Sequence, residues 1–163
     1  MQLQEKVSKN FQKRQKNFPL HFLLVDDSST YHKMMAYRFK ILNWTATSVY
    51  NGKEAVELYS NSGFKGVDVI LMDKEMPVMA GDEATSRLVS MGCTIPIVVL
   101  TGTAHHDTIR GAMGVLSKPL QIPNLLHALL RGQQKRFEEM TNALVLLERC
   151  TDFHTQEKIT TAK

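Results

Sequence analysis

Five short apolar runs, each closing on polar residues, leave this chain few ways to fold. They are His21-Phe22-Leu23-Leu24-Val25 before Asp26-Asp27, Thr45 to Tyr50 before Asn51-Gly52, and Val67 to Met72 before Asp73. Ile95 to Leu100 before Thr101, and Gly111 to Leu116 before Ser117-Lys118-Pro119, complete the set. Runs this short, rich in β-branched residues and bounded by turn-formers, read as strands. Between them lie helical stretches. Ser28-Ser29-Thr30 offer N-caps to a helix carrying Met34, Met35, Tyr37, Arg38, Ile41 and Leu42. Asn51-Gly52 turns the chain into a helix over Lys53 to Tyr59, and Asp82 to Met91 makes a third, ended by Gly92. About His105 to Arg110 and Ile122 to Arg131 supply the last two.

Strand and helix alternate throughout, which argues one parallel sheet with helices on both faces. A length of 163 residues and 43% apolar content suit a single domain with extensions. The domain is expected over 20–131. No apolar stretch approaches the roughly 20 residues that cross a bilayer. The start lacks a signal-peptide core, so a cytoplasmic setting is expected, or a nuclear one in a eukaryote. Cys93 and Cys150 have no metal-type spacing and read as reduced thiols.

In a parallel sheet the four polar strand ends lie on one edge: Asp26-Asp27, Asp73, Thr101 and Lys118. Strand order 2-1-3-4-5 would open a crevice between strands one and three. Each residue alone has a bland role. Asp26 and Asp27 could be acids at a helix N-terminus, Asp73 a turn residue, Thr101 a cap and Lys118 a solvated lysine. Together they form a chemical set. Three carboxylates repel unless a cation intervenes, and magnesium takes carboxylate, water and phosphate oxygens. A lysine opposite them supplies a point charge for a phosphate. Such a set suits phosphoryl transfer, and a carboxylate can be the nucleophile. His105 and His106 are adjacent, so on a helix they face different ways and make no metal pair.

Asp26-Asp27, Asp73-x-x-Met76-Pro77-x-x-x-Gly81, Thr101 and Lys118-Pro119 together resemble the receiver domain of two-component response regulators. The segment Leu71 to Pro77 is similar to receivers of eukaryotic multistep phosphorelays and hybrid kinases. The resemblance implies a flavodoxin-like, doubly wound (β/α)5 fold, order 2-1-3-4-5, to which the residue pattern adds extra N- and C-terminal helices. It implies that Asp73 accepts a phosphoryl group from a histidine kinase or a histidine-containing phosphotransfer protein. Asp26, Asp27, Asp73 and the Glu75 backbone carbonyl would hold Mg²⁺. Lys118 would pair with Asp73 and then with the phosphate, and Thr101 would swing toward it. Self-catalysed hydrolysis would make the mark transient, with no separate enzymatic output. Two positions depart from the pattern. Val115 stands where receivers usually carry Tyr or Phe, and the stretch from Thr101 to Gly111 is short by more than a helical turn. A haloacid-dehalogenase-type phosphatase, which also uses an aspartyl phosphate, would carry a second aspartate where Glu75 stands.

Both extensions carry helical patterns. In 1–19, Leu3, Val7 and Phe11 recur every four residues, and Lys6, Lys9, Lys13, Arg14 and Lys16 face Glu5 alone. A solvated leader is expected rather than a nucleic-acid or anionic-membrane contact, so no nucleic acid partner is assigned. In 132–163, Phe137, Met140, Leu144 and Leu147 continue an apolar spacing from Leu126 and Leu130. That segment either folds back on the domain or forms a homodimeric coiled coil, with Gly132 as an interruption. A receiver-like scaffold that binds a partner through these extensions is the alternative function.

Overall fold

The computed structural model describes residues 19–103 and 108–134. Its strands are β1 (His21–Val25), β2 (Thr45–Val49), β3 (Val69–Asp73), β4 (Ile97–Thr101) and β5 (Gly114–Ser117). All pair in parallel, in the order β2-β1-β3-β4-β5, as expected from the sequence. Three helices cross between them: α1 (Ser29–Ile41), α2 (Gly52–Ser62) and α3 (Gly81–Ser90). A fourth, α4, is described over 122–134.

The period-two alternation of a strand sorts the core into two layers. Leu23, Val25, Ile70, Met72, Ile97 and Val99 point to the face covered by α2 and α3, where they meet Ala55, Ala84 and Leu88. Phe22, Leu24, Val69, Leu71, Val98 and Leu100 point the other way, toward Met35 and Phe39 of α1 and Leu125 of α4. β3 and β4 are buried at every position, which is why they appear in the sequence as unbroken apolar runs. The edge strand β2 is mostly exposed and reads as alternating.

Capping explains where α1 and α2 begin. The Ser28 hydroxyl accepts from Tyr31 N at 3.2 Å. Asn51 is a cap rather than a turn. Its Oδ1 accepts from Glu54 N at 2.9 Å, while Glu54 Oε2 reaches back to Tyr50 N at 2.7 Å. That reciprocal arrangement behaves as a capping box.

Three local expectations need correction. Thr108 to Arg110 are loop and turn rather than helix, and 104–107 lie outside the described residues. β5 starts at Gly114, not Gly111. Gly111 has φ +89° and sits in a turn where Ala112 N donates to Ile109 O at 3.0 Å. Gly132 does not interrupt α4. It lies within the helix, where a Cβ would collide with the Met113 side chain, so glycine lets α4 pack against the segment before β5. The expected leader helix and C-terminal coiled coil fall on residues outside those described. No described helix is long and apolar enough to cross a membrane.

Candidate functional site

The two-layer sorting continues past the strand ends and decides which polar residues meet. Asp26, Asp73 and Lys118 keep the alternation of Leu24, Leu71 and Leu116, and so turn toward the α1 side of the sheet. Lys118 Nζ lies 2.7 Å from Asp26 Oδ2 and 3.0 Å from Asp73 Oδ2. Asp26 is fully buried and Asp73 is 5% exposed, whereas Asp27 is open to solvent. Each of the three aspartates offers an oxygen within 4.8 Å of the others'. Thr101 keeps the alternation of Ile97 and Val99 and turns the opposite way. It is buried, and its hydroxyl shares a 2.9 Å hydrogen bond with the Thr103 hydroxyl and accepts from Thr103 N at 3.1 Å. Its carbonyl accepts from Lys118 N at 2.7 Å, so Thr101 and Lys118 are joined through backbone alone.

Backbone bonds hold the acidic group from several sides. Asp26 Oδ1 accepts from Ser28 N at 2.8 Å, which ties the acid to the cap of α1. His32 is 6% exposed and its Nε2 lies 2.7 Å from the Asp26 carbonyl. A carbonyl only accepts, so Nε2 carries a proton, while Nδ1 lies 2.8 Å from the Ser48 hydroxyl. The loop after Asp73 closes on itself, with Gly81 N donating to Lys74 O at 2.9 Å and Lys74 N donating to Leu100 O at 2.8 Å. A Cβ at Gly81 would run into the carbonyl oxygen of Asp73 itself. That contact explains the glycine eight positions after the aspartate. Val78, in the same loop, has φ +70°, a strained setting for a β-branched residue.

In this cluster of described residues, the Lys118 ammonium meets three carboxylates, so charge is unbalanced. Burial pushes the Asp73 carboxyl above its ordinary value and the Asp26 charge adds to this, against the pull of Lys118 and of a hydrogen bond from the Glu75 backbone. Lys118 is opposed by burial, yet its bonds to Asp26 and Asp73 hold the ammonium above its ordinary value. The donor set fits a small hard cation: three carboxylates, one of them open to water. Glu75 meets Asp73 through its N–H.

The sequence reading missed two residues at this edge. Tyr31 lies one helical turn beyond Asp27, and its ring carries the Lys118 ammonium 4.6 Å from the centroid. Its hydroxyl is buried without a hydrogen-bond partner among the described residues. Burial, then Asp26, pushes that hydroxyl up to about 12, so it keeps its proton. The available signal was spacing, since a residue one turn into a helix can face back to the strand end that precedes it. Thr103 carried no signal beyond its place two residues after Thr101.

The family model for the response regulator receiver domain matches residues 22–130. The chain belongs to that family. Over 115 residues this receiver is 39% identical to two-component response regulator 24 of Arabidopsis thaliana, covering 66% of this chain and 79% of the relative. It is 32% identical to two-component system protein A of Emericella nidulans over 67% of this chain, but spans only 17% of that longer protein. The solved receiver domain of the histidine kinase CKI1 from Arabidopsis thaliana, complexed with Mg²⁺ and BeF₃⁻, is similar with a TM-score of 0.57 at 26% identity. That match covers 71% of this chain and 90% of the solved one. The receiver of Ssk1 from Saccharomyces cerevisiae, solved with the histidine phosphotransfer protein Ypd1, has the same fold: TM-score 0.57 at 21% identity, over 66% and 83% of the two chains.

Proposed function

We propose that this receiver takes a phosphoryl group onto Asp73 from a phosphohistidine donor and loses it by hydrolysis. The observation that carries the reading is the Lys118 ammonium, held between Asp26 and Asp73 beside the open Asp27. A carboxylate oxygen of Asp73 attacks phosphorus, the O–P bond forms and the P–N bond breaks. The donor imidazole leaves with the electron pair and takes a proton from water. Lys118 moves from Asp73 to a phosphoryl oxygen and keeps Asp26. Water attack on phosphorus later returns the carboxylate and releases inorganic phosphate. Asp26, Asp27, Asp73 and the Glu75 carbonyl would hold Mg²⁺, whose charge offsets that of the reacting oxygens. Thr101 would leave Thr103 to bond the phosphoryl group.

The donor would be a histidine kinase or a histidine-containing phosphotransfer protein, as the Ypd1–Ssk1 complex illustrates for a related fold. Met34, Tyr37 and Ile41 expose apolar surface along α1, whose N-terminal end borders the site, for such a contact. The receiver unit would run from residue 20 to at least 134, because a boundary after Arg131 would cut α4. The segments before and after it would be the extensions, and the setting cytoplasmic. A receiver-like scaffold is the second reading. It is favoured by Val115 and by the lack of helix over 108–113, both on the Thr101 side.

Intact mass after incubation with acetyl phosphate and Mg²⁺ tests the proposal. A gain of about 80 Da, abolished in Asp73→Asn and by chelator, is expected. No gain with either acetyl phosphate or a phosphohistidine donor, on folded protein, would overturn it in favour of the scaffold.

A further inference from the structure

The ammonium of Lys118 has three N–H donors, and two are accounted for by Asp26 at 2.7 Å and Asp73 at 3.0 Å. The face of Tyr31 lies 4.6 Å from the same nitrogen, within the range where a ring quadrupole attracts a cation. We propose that Tyr31 is a positioning residue for phosphoryl transfer: its ring holds Lys118 over the acidic group and keeps water from the third side of the ammonium. The inference rests on the reading of Asp73 as phosphoacceptor.

Three features support a positional role over plain packing. First, Tyr31 is anchored where it can hold a geometry. Its backbone N–H donates to the Ser28 hydroxyl, and Ser28 N donates to Asp26 Oδ1, so ring and acid share one cap. Second, the hydroxyl makes no hydrogen bond among the described residues although it is buried. The ring face, not the phenol, is therefore what the site uses. Third, the Lys118 side chain remains 23% exposed while its partners Asp26 and Asp73 are nearly closed off, so the lysine is the one member of the trio that water can reach and pull away. A second clamp closes the same corner. Arg38, two turns further along α1, donates through Nη1 to the Leu120 carbonyl at 2.7 Å, just after Lys118-Pro119. Thus α1 holds the lysine segment by its backbone and the lysine head by a ring.

When Asp73 carries a phosphoryl group, Lys118 must exchange one carboxylate for a phosphoryl oxygen without leaving Asp26. A ring contact has no donor or acceptor direction to satisfy, so it can persist through that exchange. A hydrogen-bonding neighbour would have to break and remake its bond.

The test separates ring from hydroxyl and contact from chemistry. Tyr31→Phe keeps the ring, and Tyr31→Leu keeps apolar bulk without it. In the unphosphorylated protein, the Lys118 ε-methylene resonances should be ring-shifted in wild type and in Tyr31→Phe, and return toward random-coil positions in Tyr31→Leu. In acetyl phosphate labelling with Mg²⁺, Tyr31→Phe should stay within about twofold of wild type. Tyr31→Leu should label roughly tenfold more slowly, the factor that a partly desolvated cation–ring contact supplies. In a Lys118→Met background, Tyr31→Leu should cause no further slowing. Equal rates for Tyr31→Leu and wild type, or unchanged Lys118 resonances, would overturn the inference. If wild type labels with neither acetyl phosphate nor a phosphohistidine donor, the phosphoacceptor reading falls, while the resonances still decide whether the ring holds the lysine.

Discussion

The two halves of the sheet's reactive edge are held by different forces. Over β1, β3 and β5, Asp26, Asp73 and Lys118 are locked by charge across segments far apart in the chain. Over β4, the Thr101 hydroxyl bonds, among the described residues, only to Thr103, two residues away. The first half is long-range and charged, so a member that leaves one partner is still held by another. The second is local and neutral, so it can change partner at little cost. A group that must keep chemistry in place belongs in the first half, and a group that must respond belongs in the second.

The sharpest way to break this comparison is to remove the lysine. Lys118→Met should cost about 2–4 kcal/mol of stability, because it strands a buried Asp26 carboxylate. Thr101→Val should cost under about 1 kcal/mol, since Thr103 is exposed and water can replace the lost partner. Denaturant unfolding of both variants measures the gap, and equal losses would show that the two halves are not held differently.

The next test uses pH. Asp73 is held above its ordinary 3.8, chiefly by burial, so the folded chain binds that proton more tightly than the unfolded one. Stability from this group is complete below 3.8 and is lost as pH rises through the folded value. Lys118, also raised, contributes stability that is complete below 10.5 and lost as pH rises through its own folded value. Without divalent cation, ionising Asp73 therefore costs the folded chain more than the unfolded one. Asp73→Asn should melt higher than wild type by roughly 2–6 °C at pH 7. The gap should vanish below pH 3.8 and narrow when Mg²⁺ is added to wild type. A lower melting point for Asp73→Asn at pH 7 would mean that its bond to Lys118 outweighs burial.

The smallest effect belongs to Thr103→Val. It should leave stability within about 1 kcal/mol while freeing the Thr101 hydroxyl. Methyl relaxation at Thr101 should show faster side-chain motion, with Asp26 and Lys118 resonances unmoved. A response at Lys118 would join the two halves.

Much of this was legible in the sequence because strand ends are chemically marked. Asp73 follows a run buried at every position, and the return of Gly81 to its carbonyl demands glycine at one spacing. The parallel sheet followed from β-α alternation, and its strand order from the family resemblance. The pairing of Lys118 with Asp26 is separated by 92 residues and could be placed only as a shared edge. Tyr31 was passed over because its spacing alone does not tell a tyrosine that packs or caps from one that holds a cation. Gly132 misled because glycine more often ends a helix than cushions a methionine. The expected helix near Arg110 misled because polar residues between two strands do not tell a short helix from a turn.

The closed loop after Asp73 bears on how the chain can change length. Lys74 O and Gly81 N meet at 2.9 Å, so the residues between them form a ring of set size. An inserted residue there would reopen that ring and tilt α3 away from the sheet. Among its described residues, the connection from β4 to β5 is closed only over the short turn from Ile109 to Ala112, and a change of length outside that turn should be better tolerated.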